Sequence, residues 1–111
     1  MESMILDNTS IQKQYQSYLI KLSSDLDIIN ILIEKDYTIY ESNFILEYLH
    51  KYTLISFFSI QEIIKFIIGL IHMNKIEIKE ENMNLKLILI STLPNHSNVI
   101  LNLQKKKYNI K

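Results

Sequence analysis

The chain has 111 residues (13.2 kDa), 48% hydrophobic and 22% charged, which is the size and composition of one folded domain and excludes a disordered or low-complexity chain. Gly 1, Pro 1 and Cys 0 exclude collagen-like and disulfide-stapled scaffolds, thiolate zinc sites and a cysteine nucleophile. Lys+Arg 12 against Asp+Glu 12 leaves a formal net charge of +0, so no global field draws the chain to nucleic acid or to an anionic membrane.

Residue usage is skewed. Ala, Arg, Cys and Trp are absent while Ile, Lys and Asn abound, and because the abundant types have A/T-rich codons, an A/T-rich genome is expected. The missing arginine lowers the weight of phosphoryl transfer and base reading, where its bidentate fork is the preferred tool. Residues 1–55 carry 4 Lys against 8 acids and residues 56–111 carry 8 Lys against 4, with Lys105, Lys106, Lys107 and Lys111 making a basic tail.

At the N-terminus, Glu2 and Asp7 stand where a secretory leader would be basic and then apolar, so an intracellular protein is expected, cytoplasmic, nuclear or organellar. Ile11, Tyr15, Tyr18, Leu22, Leu26, Ile29 and Ile33 are spaced by three and four, which predicts a long first helix. Ser23-Ser24-Asp25 is also an N-cap cluster, so two helices with a break there fit equally. Asp36 to Tyr40 reads as a short extended piece, and Phe44 to Lys51 as a short helix after Ser42. Ser59-Ile60-Gln61-Glu62 is a capping box that opens a helix from Ile60 to about Met73. The stretch Thr53 to Met73 is long enough to span a membrane, but Gln61, Glu62, Lys65 and His72 interrupt it. Each charge near the centre of a span costs roughly 2.5–3.5 kcal/mol, which favours a buried helix and no span. Lys75 to Lys79 and Leu85 to Ile90 alternate about a polar turn and predict a β-hairpin, and Val99 to Tyr108 forms a last short element. No internal repeat is evident.

Helix, extended piece, helix, helix, hairpin is the order of a winged-helix domain. The expected fold is α+β and mostly helical: a single winged-helix-like domain over residues 1–104 with a long N-terminal helix and a C-terminal hairpin wing, and the basic tail over 105–111. The third helix is too apolar for a DNA groove, since only Gln61, Glu62, Lys65 and His72 are polar.

Tyr37-Thr38-Ile39-Tyr40-Glu41, followed by the capped helix and Asn74-Lys75-Ile76, resembles the small winged-helix subunit of the ESCRT-II membrane-sorting complex, a family with two winged helices where this chain has room for one. The run from Ile71 to Glu81 is similar to the C-terminal winged helix of bacterial kleisins, which clamps an SMC ATPase head. The same helix and wing resemble the winged half of PCI domains in proteasome-lid and initiation-factor subunits. Each likeness covers about half the chain or less. Together they imply a scaffold role.

His50, His72 and His96 lack the i, i+4 spacing of helical zinc motifs, and with Gly69 as the one glycine neither a phosphate loop nor a nucleophile elbow can be built. No enzyme, metal or cofactor is expected. Ile88 and Ile90 fall on the opposite face of the wing from Leu85, Leu87 and Leu89, so either the C-terminal Val99 to Leu103 covers them or a protein partner does. Tyr15, Tyr18, Tyr48 and Tyr52 divide between core packing and interface anchoring. Ile88, Ile90, Tyr15, Tyr18 and Lys65 are thus the candidate protein contacts. Lys105, Lys106 and Lys107 are the candidates for nucleic acid or lipid. The function expected is a non-enzymatic adaptor subunit of a hetero-complex; the alternative is a nucleic-acid-associated winged helix, a transcription regulator or ribosome-associated factor, using the lysine tail.

Overall fold

The computed structural model describes residues 10–106. Strands account for 51% of them and helices for 21%. A four-stranded meander comes first: β1 (Ser10–Tyr15), β2 (Tyr18–Asp25), β3 (Ile28–Lys35) and β4 (Thr38–Ile45). Then follow α1 (Leu46–Leu49), a single 3-10 turn (Thr53–Ile55) and α2 (Ile60–His72). The chain returns as β5 (Ile76–Glu80), β6 (Asn84–Leu89) and β7 (Val99–Lys106). All seven strands join one antiparallel sheet in the order β1-β2-β3-β4-β7-β6-β5.

The fold is a curled antiparallel half-barrel, not a winged helix, and the three winged-helix resemblances fall with that expectation. The expected long first helix is three strands. Its apparent helical period has a physical origin in the turns. Within β2 the buried positions are Tyr18, Ile20, Leu22 and Ser24, and within β3 they are Ile29, Ile31 and Ile33, which is strict alternation. Because each two-residue turn switches the buried set from even to odd numbers, the spacings of three at Tyr15–Tyr18 and Leu26–Ile29 straddle turns and counterfeit a helical step. The turns also lack their usual marks. Gln16, Leu26 and Asp36 hold positive φ (56°, 59° and 57°) at the first loop position, where hairpins ordinarily place glycine or asparagine. These three turns recur every ten residues, so the meander is a repeat in spacing that no residue identity announces.

The extended piece expected at Asp36 to Tyr40 is a turn followed by the start of β4, and the expected short helix shrinks to α1. The capped helix and the hairpin are present. Ser59 Oγ accepts from the Glu62 N–H (3.2 Å) and Glu62 Oε1 accepts from the Ser59 N–H (2.8 Å), fixing the first turn of α2. Ile60, Ile63, Ile64, Ile67, Leu70 and Ile71 form one buried stripe of that helix. It packs into the concave face of the sheet against Ile20, Leu22, Ile31, Ile33, Leu87 and Leu101, all 1% exposed or less. Among the described residues no helix is long and apolar enough to cross a membrane.

Gly69 lies inside α2 with open space where a Cβ would stand. Gly69→Ala should therefore stabilise the protein by about 0.5–1 kcal/mol, through lower backbone entropy in the unfolded chain. Thermal unfolding followed by circular dichroism should show a midpoint higher by roughly 4 °C.

Curling brings the ends of the sheet together. The Tyr15 hydroxyl on β1 donates to the Ile76 carbonyl on β5 (3.1 Å), although these are the two edge strands. Seven antiparallel strands leave the two edges running parallel, and a tyrosine side chain bridges them where a ladder is absent. Lys13 sits on the core-facing side of β1, opposite Ile20, and an inward charge on an edge strand discourages pairing with another chain.

Candidate functional site

Two places concentrate side-chain chemistry. The first is Glu80, at the end of β5. Its Oε2 accepts from the Tyr18 hydroxyl (2.6 Å) and from Lys35 Nζ (3.1 Å), and its Oε1 from the Tyr40 hydroxyl (3.4 Å). Three strands of the meander are thus held to the hairpin by one carboxylate. The Tyr18 and Lys35 donors hold the Glu80 carboxyl below its usual range, against some opposing desolvation. Burial first, and then the Glu80 charge, push the Tyr18 hydroxyl up to about 12 and raise Tyr40 as well. Both shifts carry these groups away from neutrality, whereas a proton-transfer catalyst needs a pKa near the working pH. The cluster holds charge in place and is a staple.

Stability should follow that staple with pH. A carboxyl whose folded pKa lies below its unfolded value stabilises the fold at pH above the unfolded value, and the contribution disappears as pH falls through the folded one. Glu80→Gln should cost about 1 kcal/mol at pH 7, a small figure because the side chain is 38% exposed and solvent screens it. The difference between the two proteins in urea midpoint should close on acidification below the ordinary carboxylate range.

The second place is the seam between β4 and β7. These strands pair only at Ile39–Lys106, Tyr40–Lys105 and Glu41–Gln104, although β4 runs on to Ile45 and β7 begins at Val99. Main-chain directions there follow from the neighbouring ladders. The Ile90 N–H donates to the Lys75 carbonyl, and the Glu81 N–H to that of Asn84, so even-numbered residues of β6 face β5 and odd-numbered ones face β7. Opposite them, the odd residues of β7 face β6, as the Lys105 N–H on the Met83 carbonyl shows, and Ile100, Asn102 and Gln104 face β4. On β4 the even residues face β3, which sends Asn43 toward β7. Continued past Glu41, the register would set Asn43 opposite Asn102 as a hydrogen-bonded pair. Instead the ladder is open.

Side chains fill part of the opening. Ser42 Oγ accepts from the Gln104 N–H (3.3 Å) at the last ladder pair, and the Tyr52 hydroxyl donates to the Ile100 carbonyl (2.9 Å) beyond it. Phe44, Tyr48 and Tyr52 form an aromatic wedge with successive centroid separations of 6.2 Å. Burial first and then the adjacent Tyr48 raise the Tyr52 hydroxyl above its ordinary pKa, so it stays a donor. Beside the wedge lies a hollow of about 350 Å³ lined by Ser42, Asn43, Phe44, Ile45, Tyr48 and Asn102. The Asn43 and Asn102 side-chain oxygens accept from Asn30 and Asn84. Among the described residues no side-chain hydrogen bond engages their amide nitrogens, and the β4–β7 ladder forms no pair between the two residues. Around the hollow the apolar surface is exposed: Ile28 (36%) pairs with Ile45 (53%), Tyr48 and Ile100 are each 40% exposed, and Leu26 (80%) tips the adjoining turn.

Of the residues singled out in the sequence, Tyr15 and Tyr18 are tied to Ile76 and Glu80 at the curl of the sheet. Ile88 lies on the outer face opposite Ile100 and is 8% exposed, and Ile90 is half-buried just after β6. Lys65 is exposed on α2, remote in the chain from both places. Lys105 and Lys106 pair with Tyr40 and Ile39 inside β7, while Lys107 lies outside the described residues. Lys86 is matched by Glu81 at 3.2 Å. Among the described residues no group of His, Asp and Glu could hold a metal ion; His50 bonds to the Phe58 carbonyl and His96 to Thr53. The seam was not read from the sequence. Its one local mark is the loss of clean alternation after Glu41, where polar Ser42-Asn43 precede Phe44-Ile45.

Comparison with protein-family models, with curated proteins and with solved structures returns no match for this chain.

Proposed function

We propose that the chain is a non-enzymatic protein-interaction subunit that docks a partner polypeptide over the β4–β7 seam. The observation that carries this reading is the coincidence of an opened ladder with the exposed apolar group of Ile28, Ile45, Tyr48 and Ile100. Contiguous exposed apolar surface on a folded domain marks interaction sites, and a half-exposed tyrosine at its centre is the residue type that anchors them. Uncommitted amide donors at Asn43 and Asn102 add direction to the contact. The residues lining the hollow are uncharged, with Lys105 and Lys106 confined to the paired end of the seam, so the docking is chiefly apolar.

An Ile45→Asp, Ile100→Asp double variant tests this. Both side chains are exposed, so the variant should unfold within a few degrees of wild type. Affinity capture from the native cells should yield defined proteins with wild type and with Lys65→Glu, and none of them with the double variant. Their capture should change little between low and high salt, because apolar docking is not screened. Retention of every partner by the double variant, or recovery of salt-sensitive nucleic acid alone, would sink the reading.

A further inference from the structure

We infer that the partner at the seam is a second copy of this chain, docked outer face to outer face about a two-fold axis that runs along the seam between β4 and β7. That assignment rests on the seam being the docking surface and names what covers it. Outward side chains on the convex face of the sheet fall into rows that cross the strands. One row reads Ile28 on β3, Ile45 on β4, Ile100 on β7 and Ile88 on β6, the step from β4 to β7 following the register that ends at Glu41–Gln104. The next row reads Asn30, Asn43, Asn102 and Lys86 in the same strand order. The isoleucine row thus repeats itself on either side of the seam, and the asparagine row does so at its centre. An isologous contact requires such a pattern, because each residue meets its mate twice, once from each copy. A two-fold axis along the seam sets Ile45 on the second copy's Ile100 and Asn43 on the second copy's Asn102. Each asparagine side chain offers an amide donor and a carbonyl acceptor, so the second pair is complementary as well.

Charge selects this axis. Outward on β1–β4 stand the acids Asp25, Glu34 and Glu41 against one lysine, Lys21. Outward on β5–β7 stand Lys79, Lys86 and Lys106 against one acid, Glu77. Turning a second copy about the seam lays its basic half on the acidic half of the first. Turning it about the isoleucine row would lay acid on acid and lysine on lysine. Complementarity of this kind fixes orientation more than strength, and the formal net charge of +0 leaves no overall repulsion between copies. The like-charged meeting of Asp25 with the second copy's Glu77 falls at the two ends of the isoleucine row, where the convex faces curve apart. Curvature also confines the contact to the four central strands, about 15 Å from β3 to β6 at ordinary strand spacing. Such an interface is small, so the dimer is weak, with a Kd on the order of micromolar.

Analytical ultracentrifugation of the purified chain from about 1 µM to about 1 mM tests this, a range that brackets weak association. Wild type should pass from monomer to dimer, and Ile45→Asp should dimerise at least tenfold more weakly. Glu41→Lys alone, and Lys86→Glu with Lys106→Glu in one chain, should each dimerise at least threefold more weakly than wild type, because each sets like charges together across the axis. An equimolar mixture of those two variants should regain the wild-type affinity, since each restores the charge that the other reversed. If wild type stays monomeric at about 1 mM, or forms a dimer that Ile45→Asp weakens less than twofold, the second copy is overturned. The docking surface then stands if the Ile45→Asp, Ile100→Asp variant still loses its captured proteins, and falls otherwise. If Ile45→Asp dissociates the dimer but the charge reversals change it less than twofold, the axis along the seam is overturned. Circular dichroism checks that each variant folds, and where Ile45→Asp does not, Ile100→Asp and the reversals carry the same outcomes.

Discussion

Leu101→Pro should unfold the protein, whereas Asn102→Pro, one residue along the same strand, should leave it folded. Leu101 turns its main chain toward β6, where it pairs with Leu87, and its side chain is 1% exposed in the core. Proline there removes a ladder bond from an interior strand and also leaves a cavity, together about 5 kcal/mol or more. That matches the whole stability of a small domain, roughly 5–15 kcal/mol. Asn102 turns its N–H toward β4 beyond the last ladder pair, so its proline variant breaks no β6–β7 ladder bond and loses the side-chain bond with Asn84, worth about 1 kcal/mol. Urea unfolding followed by circular dichroism separates the two variants directly. If both unfold alike, the Asn102 amide is bonded in solution and the seam is closed.

The second large effect belongs to the helix. Ile67→Ala should destabilise by about 2–5 kcal/mol, because Ile67 is 1% exposed at the middle of the buried stripe of α2, between helix and sheet. A midpoint lower by roughly 10–20 °C is expected from thermal unfolding. A loss of under about 1 kcal/mol would mean that the sheet does not close on the helix as described.

These two sites differ in how far they could be read in advance. The stripe of α2 was legible because a helix buries residues of its own segment, so the spacing of Ile60, Ile63, Ile64, Ile67, Leu70 and Ile71 shows the buried face. The capping box fixed its start by a contact spanning three residues. The hairpin β5–β6 was legible for the same reason, its alternation lying either side of a polar turn. The meander was misread because its turns hold positive φ at Gln16, Leu26 and Asp36 with no glycine to mark them. Without turn marks, residues drawn from three strands line up in a false helical period, and the winged-helix order followed from that error. For Ile88 the sequence left two covers open, Val99 to Leu103 or a partner: its neighbour Ile100 lies twelve residues on, and the β6–β7 register places them side by side.

By itself the sequence determined a globular composition without thiol chemistry, a capped apolar helix from Ile60, and a following hairpin. Each of those depends on composition or on contacts within a few residues. Tertiary structure alone decided that the first half is sheet, that Glu80 staples Tyr18, Lys35 and Tyr40, and that β4 and β7 part at Asn43 and Asn102. Such features depend on residues about forty to sixty positions apart, joined by registers that local pattern does not encode.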